Sequence, residues 1–205
     1  MDLTEGQKDS LAELINIGYG RAAAALSELT GYRITLEAPR VAMYAIDEVG
    51  SMLSGVVDGE VASVNQVFSG PISGNALLLL DQRAALVLSQ LLTNETPAID
   101  GFDANAREVI TEVGNIVLNA CLGVFGNMLH IDVSFAVPRM RVDGVRSVLR
   151  SITIGAEELQ YALMIHTRFH LRESNVAGYL VIILGITSLD QLLAELVVWE
   201  QRQNA

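Results

Sequence analysis

The sequence predicts an α+β fold made of two similar halves that share one antiparallel sheet. Three observations carry this expectation. Two long stretches, 4–30 and 103–129, have the periodicity and composition of helices. Each is followed by segments that alternate or run apolar like strands. Residue matches also recur at a fixed distance. Glu13, Asn16, Ile17, Pro39 and Arg40 stand 99 positions before Glu112, Asn115, Ile116, Pro138 and Arg139, and "DEVGSML" (47–53) stands 96 before "DGVRSVL" (143–149). A period of about a hundred residues is too long for a solenoid repeat. The two units, about 4–93 and 103–201, are therefore expected to form one domain. They are read as duplicated α-β-β-β-type halves related by a pseudo-twofold axis, with the antiparallel sheet packed by two long helices.

Each element has a local reason. Thr4 or Asp9 can cap the first helix, "RAAAALSEL" is rich in good helix formers, and Gly31 supplies a left-handed end. "YRITLEA" alternates like a strand, and "DEVGSML" reads as a short helix or turn. "EVASVNQVFSG" and "GNALLLLD" read as two strands joined around 71–74, followed by the amphipathic helix "DQRAALVLSQLL". After the polar linker "TNETPAIDGFD" the order repeats. A long helix from Asp103 to Leu129 precedes the strand "IDVSFAV" and the short helix or turn "DGVRSVL". The strands "LQYALMIHTRFHL" and "AGYLVIILGI" flank the turn "RESN", and "SLDQLLAELVVWEQ" closes the chain as a helix that covers core or edge.

Composition narrows the function classes. The chain has 205 residues, of which 51% are hydrophobic and 18% charged, enough apolar content for a sizeable core. A formal net charge of −11 repels phosphate backbones and argues against a nucleic-acid partner. One cysteine, Cys121, allows no internal disulfide. The N-terminal "MDLTEGQKDS" lacks the features of a signal peptide. The most apolar run, 177–186, is too short to cross a bilayer as a helix, so no membrane insertion and a cytoplasmic location are expected.

The long helices carry the unusual chemistry. At roughly 100° per residue, Asp9, Glu13, Asn16 and Gly20 fall within an arc of about 60°, with Leu11, Leu14, Ile15, Ala22, Leu26 and Leu29 opposite. In the second helix Glu108, Glu112, Asn115 and Asn119 share one stripe, away from Ile110, Val113, Val117, Val124 and Met128. Both stripes are expected to face solvent or a partner. An interior helical Asn is mildly unfavourable, because its amide competes for nearby backbone groups. Two copies at one spacing, each followed by a proline after 22 intervening residues, call for a function.

These residues resemble the motif of the CheC family of chemotaxis phosphatases, which is related to CheX and FliY. That motif is Asp or Ser, three residues, Glu, two residues, Asn, 22 residues and Pro. Asp9, Glu13, Asn16 and Pro39 match it in full; Glu112, Asn115 and Pro138 match it in the second half, where Glu108 replaces the Asp or Ser. The resemblance extends over nearly the whole chain. It implies hydrolysis of the aspartyl phosphate on a CheY-like response regulator, which itself holds Mg²⁺ and a lysine, so that this chain needs no cofactor or metal of its own. An Asn amide both donates and accepts, and can position a water without titrating. The resemblance assigns that role to Asn16 and Asn115. It gives Glu13 and Glu112 the regulator's lysine, Asp9 and Glu108 a part in docking, and Pro39 and Pro138 a structural role behind the sites. It also leaves open a non-catalytic scaffold role in chemotaxis or the flagellar switch, and binding of the receptor deamidase CheD.

Other candidates have plainer readings. His166 and His170 have the spacing of a helical metal pair but lie in a predicted strand, where four residues span about 13 Å. Cys121 reads as a small core residue, and His130 as a helix-end residue. "GYGRA" lacks the strand and lysine of a phosphate loop; Gly18 and Gly20 are expected to let a partner's backbone approach the stripe.

Overall fold

A computed structural model describes residues 3–54, 59–93, 102–153, 159–171 and 174–203. Most of the linker and the tip of the "RESN" turn lie outside the described residues. The elements run α1 (Glu5–Thr30), β1 (Ile34–Leu36), β2 (Arg40–Ala45), α2 (Ile46–Ser54), β3 (Glu60–Ser69), β4 (Gly74–Asp81) and α3 (Gln82–Thr93) in the first half. The second half has α4 (Ala104–Leu129), β5 (Ser134–Phe135), β6 (Arg139–Gly144), α5 (Val145–Thr153), β7 (Leu159–Leu171), β8 (Ser174–Gly185) and α6 (Ile186–Gln203).

The caps explain where the long helices start and stop. Thr4 and Gln7 form a reciprocal capping box at α1, and Asp103 accepts from the Ala106 N–H at α4. Gly31 closes α1 with φ 71°. His130 closes α4 in the same left-handed region with φ 57°, its N–H donating to the Gly126 carbonyl.

All described strands join one antiparallel sheet of order β1-β7-β8-β4-β3-β5, with β2 also on β7 and β6 also on β3. This order reads the same from either end when the halves are interchanged, as a pseudo-twofold axis between β4 and β8 requires. The edge strands are exchanged. β1 and β2 of the first half pair with β7 of the second, and β5 and β6 of the second pair with β3 of the first. Neither half completes its sheet alone.

Two apolar clusters lie on the two faces. The larger joins α1, α3, α4 and α6 to one face of the sheet; the smaller joins Val49 and Leu53 of α2 and Val145, Val148 and Leu149 of α5 to the other. Strand periodicity divides them: Ala62, Val64 and Phe68 of β3 enter the larger core, while Val61 enters the smaller. A buried hydrogen bond of 2.5 Å links the Tyr19 hydroxyl of α1 to Thr167 of β7, and Ser10 of α1 bonds Glu200 of α6. Trp199 is buried, consistent with α6 covering the core. α4 is apolar and long enough to cross a membrane by length and composition, and half of that apolar window is buried within this fold.

The expected α+β class, with one antiparallel sheet packed by two long helices, is borne out, and the α-β-β-β outline of each half gains further elements. Each described half is α-β-β-α-β-β-α, and helices cover both faces. The extra strands β2 and β6 begin immediately after Pro39 and Pro138. A proline has no N–H to give to a ladder, so the strands read as "YRITLEA" and "IDVSFAV" stop early and restart beyond it. Leu29, placed in the core by the wheel, is 63% exposed. Gly18 faces inward: a Cβ there would stand 2.8 Å from the Cys121 Cα of α4. It allows the two long helices to touch, rather than a partner to approach. Gly20 has nothing within 4 Å of that position and remains on the outer stripe.

Candidate functional site

The two long helices place their stripes differently. On α1, Asp9, Glu13, Asn16 and Gly20 are all exposed, one or more turns apart, while Leu11, Leu14, Ile15 and Tyr19 hold the opposite side in the core. Among the described residues neither Glu13 nor Asn16 has a side-chain hydrogen-bond partner. The Asn16 carboxamide therefore presents one acceptor and two donor hydrogens outward.

On α4, Glu108 and Glu112 are exposed, but Asn115 and Asn119 are only half exposed, which corrects the expectation of a stripe free of the protein interior. A directed chain of hydrogen bonds holds them. The buried Gln66 amide of β3 donates at 3.0 Å to the Ala136 carbonyl and at 3.0 Å to the Asn119 side-chain oxygen. Asn119 Nδ2 donates at 2.7 Å to Asn115 Oδ1, and Asn115 Nδ2 lies 3.4 Å from Glu112 Oε2. Both acceptors facing the Gln66 Nε2 group are oxygens, so the polarity of the whole chain follows from its first link. Both ends of the Asn115 amide thus have partners within the chain. A groove of about 390 Å³ runs beside this stripe, with Glu108, Glu112 and the exposed Leu29 in its wall.

The prolines shape the segments behind the stripes. Pro39 is buried and Pro138 half-buried. Two residues before each, a backbone N–H reaches the neighbouring strand: Glu37 N–H to the Arg168 carbonyl at 3.1 Å, and Ala136 N–H to the Val67 carbonyl at 2.9 Å. In the second half the Ala136 carbonyl then takes the Gln66 bond. In the first half the Glu37 carboxylate instead accepts from Arg168 at 3.1 Å and contacts His170 Nε2 at 2.9 Å. Partial desolvation works against the Glu37 charge, but the Arg168 and His170 contacts outweigh it and hold the carboxyl below its ordinary range.

The sequence alone does not reveal Gln66 and Asn119 as an interacting pair. A signal was present: "SVNQVF" puts a Gln at an inward position of a strand whose neighbours there are Val64 and Phe68. Among the described residues no group of three or more His, Cys, Asp or Glu side chains converges on a metal-sized space. His166 packs on the Tyr179 ring at 5.3 Å, and His170 contacts Asn175 and Glu37. Burial pushes the Cys121 thiol well above its ordinary value, which leaves it protonated and a poor nucleophile.

A duplicated α+β domain with exchanged edge strands and two Glu–Asn stripes on paired long helices is the CheC-like fold that the motif implied. No family model matches the chain. In sequence it is similar to "CheY-P phosphatase CheC" of Bacillus subtilis, 26% identical over 150 residues, covering 72% of this chain and 71% of that protein. In fold it is similar to Thermotoga maritima FliY, with a TM-score of 0.78 at 18% identity over 97% of this chain and all of that one. It is also similar to the FliM middle domain of Helicobacter pylori, with a TM-score of 0.67 at 14% identity over 94% of this chain and 99% of that one. The chain is thus similar to CheC in sequence and shares the fold of FliY and the FliM middle domain.

Proposed function

We propose that the chain is a phosphatase for the aspartyl phosphate of a CheY-like response regulator. The observation that carries this reading is Asn16, whose unpartnered amide stands exposed one turn from Glu13. The similarity to a protein named a CheY-P phosphatase supports the substrate class. An acyl phosphate is cleaved when water attacks phosphorus, the P–O bond to the aspartyl oxygen breaks, and the carboxylate leaves. The regulator would bring its own Mg²⁺ and lysine to neutralise the phosphoryl oxygens. What a second protein must add is a water held in line. The Asn16 carboxamide can hold that water through its oxygen while its NH₂ group donates to a phosphoryl oxygen. Glu13 would pair with the lysine and fix the docked register. Asn115 and Glu112 would do the same at the second site, with Asp9 and Glu108 at the docking margins. No proton acceptor or metal on this chain enters the step.

The test is release of phosphate from purified phosphorylated regulator with Mg²⁺. Substituting both Asn16→Ala and Asn115→Ala is expected to lower the rate about 100-fold. A double variant as active as the parent would overturn the reading. The likeness to FliM favours a second reading, a non-catalytic module of the flagellar switch. Binding to a regulator that depends on phosphorylation supports the enzyme; constitutive binding to rotor proteins supports the module. CheD capture by the full chain is a separate measurement on the same preparation.

A further inference from the structure

A groove of about 850 Å³ opens on the sheet face opposite the two stripes. Its floor carries Ser63 and Asn65 of β3 beside Arg139 and Arg141 of β6, and its rim carries Ser151 of α5 and Thr187 of α6. The arginines stand two apart on one strand, so they share a face about 7 Å apart. In the ladder they lie opposite Asn65 and Ser63. No Asp or Glu is among the described residues that line the groove, although the chain as a whole carries −11. Arg141 feels the Asp143 carboxylate, which Ser147 and the Gly144 N–H also hold; Arg139 makes no ion pair among the described residues.

A second observation points to a ligand. Among the described residues the Asn65 side-chain oxygen is buried without a hydrogen-bond partner, as are Gln66 Oε1 and Trp199 Nε1, and of these three residues only Asn65 lines the groove. A buried acceptor left unpaired is costly, so a donor brought to it by a ligand is favoured.

The pseudo-symmetry shows that this set of lining residues is particular to one end of the sheet. Arg40 is the counterpart of Arg139. It pairs with His166, as Arg139 pairs with Asn65. Across the next ladder His166 faces Tyr179, where Asn65 faces Leu77. At the first end two aromatic rings pack against each other at 5.3 Å. At the second end an Asn and a Leu take their places, and Arg141 stands where the other half has Ala42.

We propose that this groove binds a phosphorylated small molecule of nucleotide size. Arg139 and Arg141 would take the phosphate oxygens, and a hydroxyl or amino group of the ligand would donate to Asn65. Guanidinium groups match phosphate in planar, two-bond fashion. The volume lies within the range of small-molecule sites. Hydroxyls and amides share the wall with Val67, Leu77, Val137 and Val148, which suits a ligand with an apolar ring beside its phosphates. The groove also backs the second stripe: Ala136 lines it and accepts the Gln66 bond that leads to Asn119 and Asn115. A ligand there would press on the same strand pair that orients Asn115.

The test needs no regulator. ADP is titrated calorimetrically into the full chain at physiological salt, with pyrophosphate, uncharged adenosine and hexaglutamate as comparisons. Saturable binding of ADP is expected, with adenosine silent. Arg139→Gln and Arg141→Gln should each weaken binding about tenfold, and Arg40→Gln, at the counterpart position, should leave it unchanged. Melting curves of the variants confirm that each is folded. The proposal is overturned if neither ADP nor pyrophosphate saturates the site, if the groove variants bind like the parent, or if hexaglutamate binds and ADP does not.

Discussion

The two stripes share one motif but differ in what surrounds the Asn. Asn16 is exposed and, among the described residues, unpartnered, with Gly20 one turn on. Asn115 is half-buried, with Asn119 one turn on, and is tied through Gln66 to the segment before Pro138. Two differences at equivalent positions separate the two states, Gly20 against Asn119 on the helix and Thr167 against Gln66 on the strand. Thr167, the counterpart of Gln66, is drawn to the Tyr19 hydroxyl instead. Duplication preserved the spacing of the reactive groups; the neighbours determine whether the amide is free. A free amide can adapt to an incoming phosphate. A tethered one is preorganised but has its carbonyl engaged.

The phosphatase assay offers the strongest way to break this comparison. Because rates at two separate sites add, Asn16→Ala is expected to leave roughly a quarter of the rate and Asn115→Ala roughly three quarters, each a difference measurement. Equal or reversed losses would show that tethering helps. In an Asn16→Ala background, Asn119→Gly should raise the residual rate, since it gives the second stripe the neighbour of the first. A fall would identify Asn119 as a residue that positions Asn115 productively.

Stability measurements sharpen the comparison next. The two glycines of "GYG" are two residues apart but lie on opposite sides of α1. Gly18→Ala would drive a methyl group into the backbone of α4 and should destabilise the fold by about 1–3 kcal/mol in chemical denaturation. Gly20→Ala meets open space and should stabilise the helix by roughly 0.5–1 kcal/mol. A Gly18→Ala variant as stable as the parent would mean that α1 and α4 can move apart.

The smallest effect concerns pH. Glu37 in the first half and Asp143 in the second both have carboxyl groups held below their ordinary values. Each is protonated more readily in the unfolded chain than in the folded one as pH falls. Its contribution is therefore present above the ordinary carboxylate value and lost as pH falls through the lowered folded value. Glu37→Gln and Asp143→Asn should lower the melting temperature slightly at neutral pH. Those differences should vanish in acid below the folded values, and a difference that persists there would assign the effect to packing.

Much of this molecule is set by local chemistry. The capping residues Thr4, Asp103 and Gly31, the alternation in "EVASVNQVF" and the repeated Glu–Asn–Pro spacing each act within a few turns or strand residues, so the sequence displays them directly. The α+β class and the outward direction of Glu13 and Asn16 follow from period alone. What period could not supply were contacts between residues far apart in the chain. The exchange of edge strands depends on β7 and β3 accepting partners from the opposite half. Gly18 is defined by Cys121, Asn115 by Gln66, and the exposure of Leu29 by a groove beside α4. A helix wheel ranks positions around one axis, and only the packed second helix and the sheet decide which of them meet water.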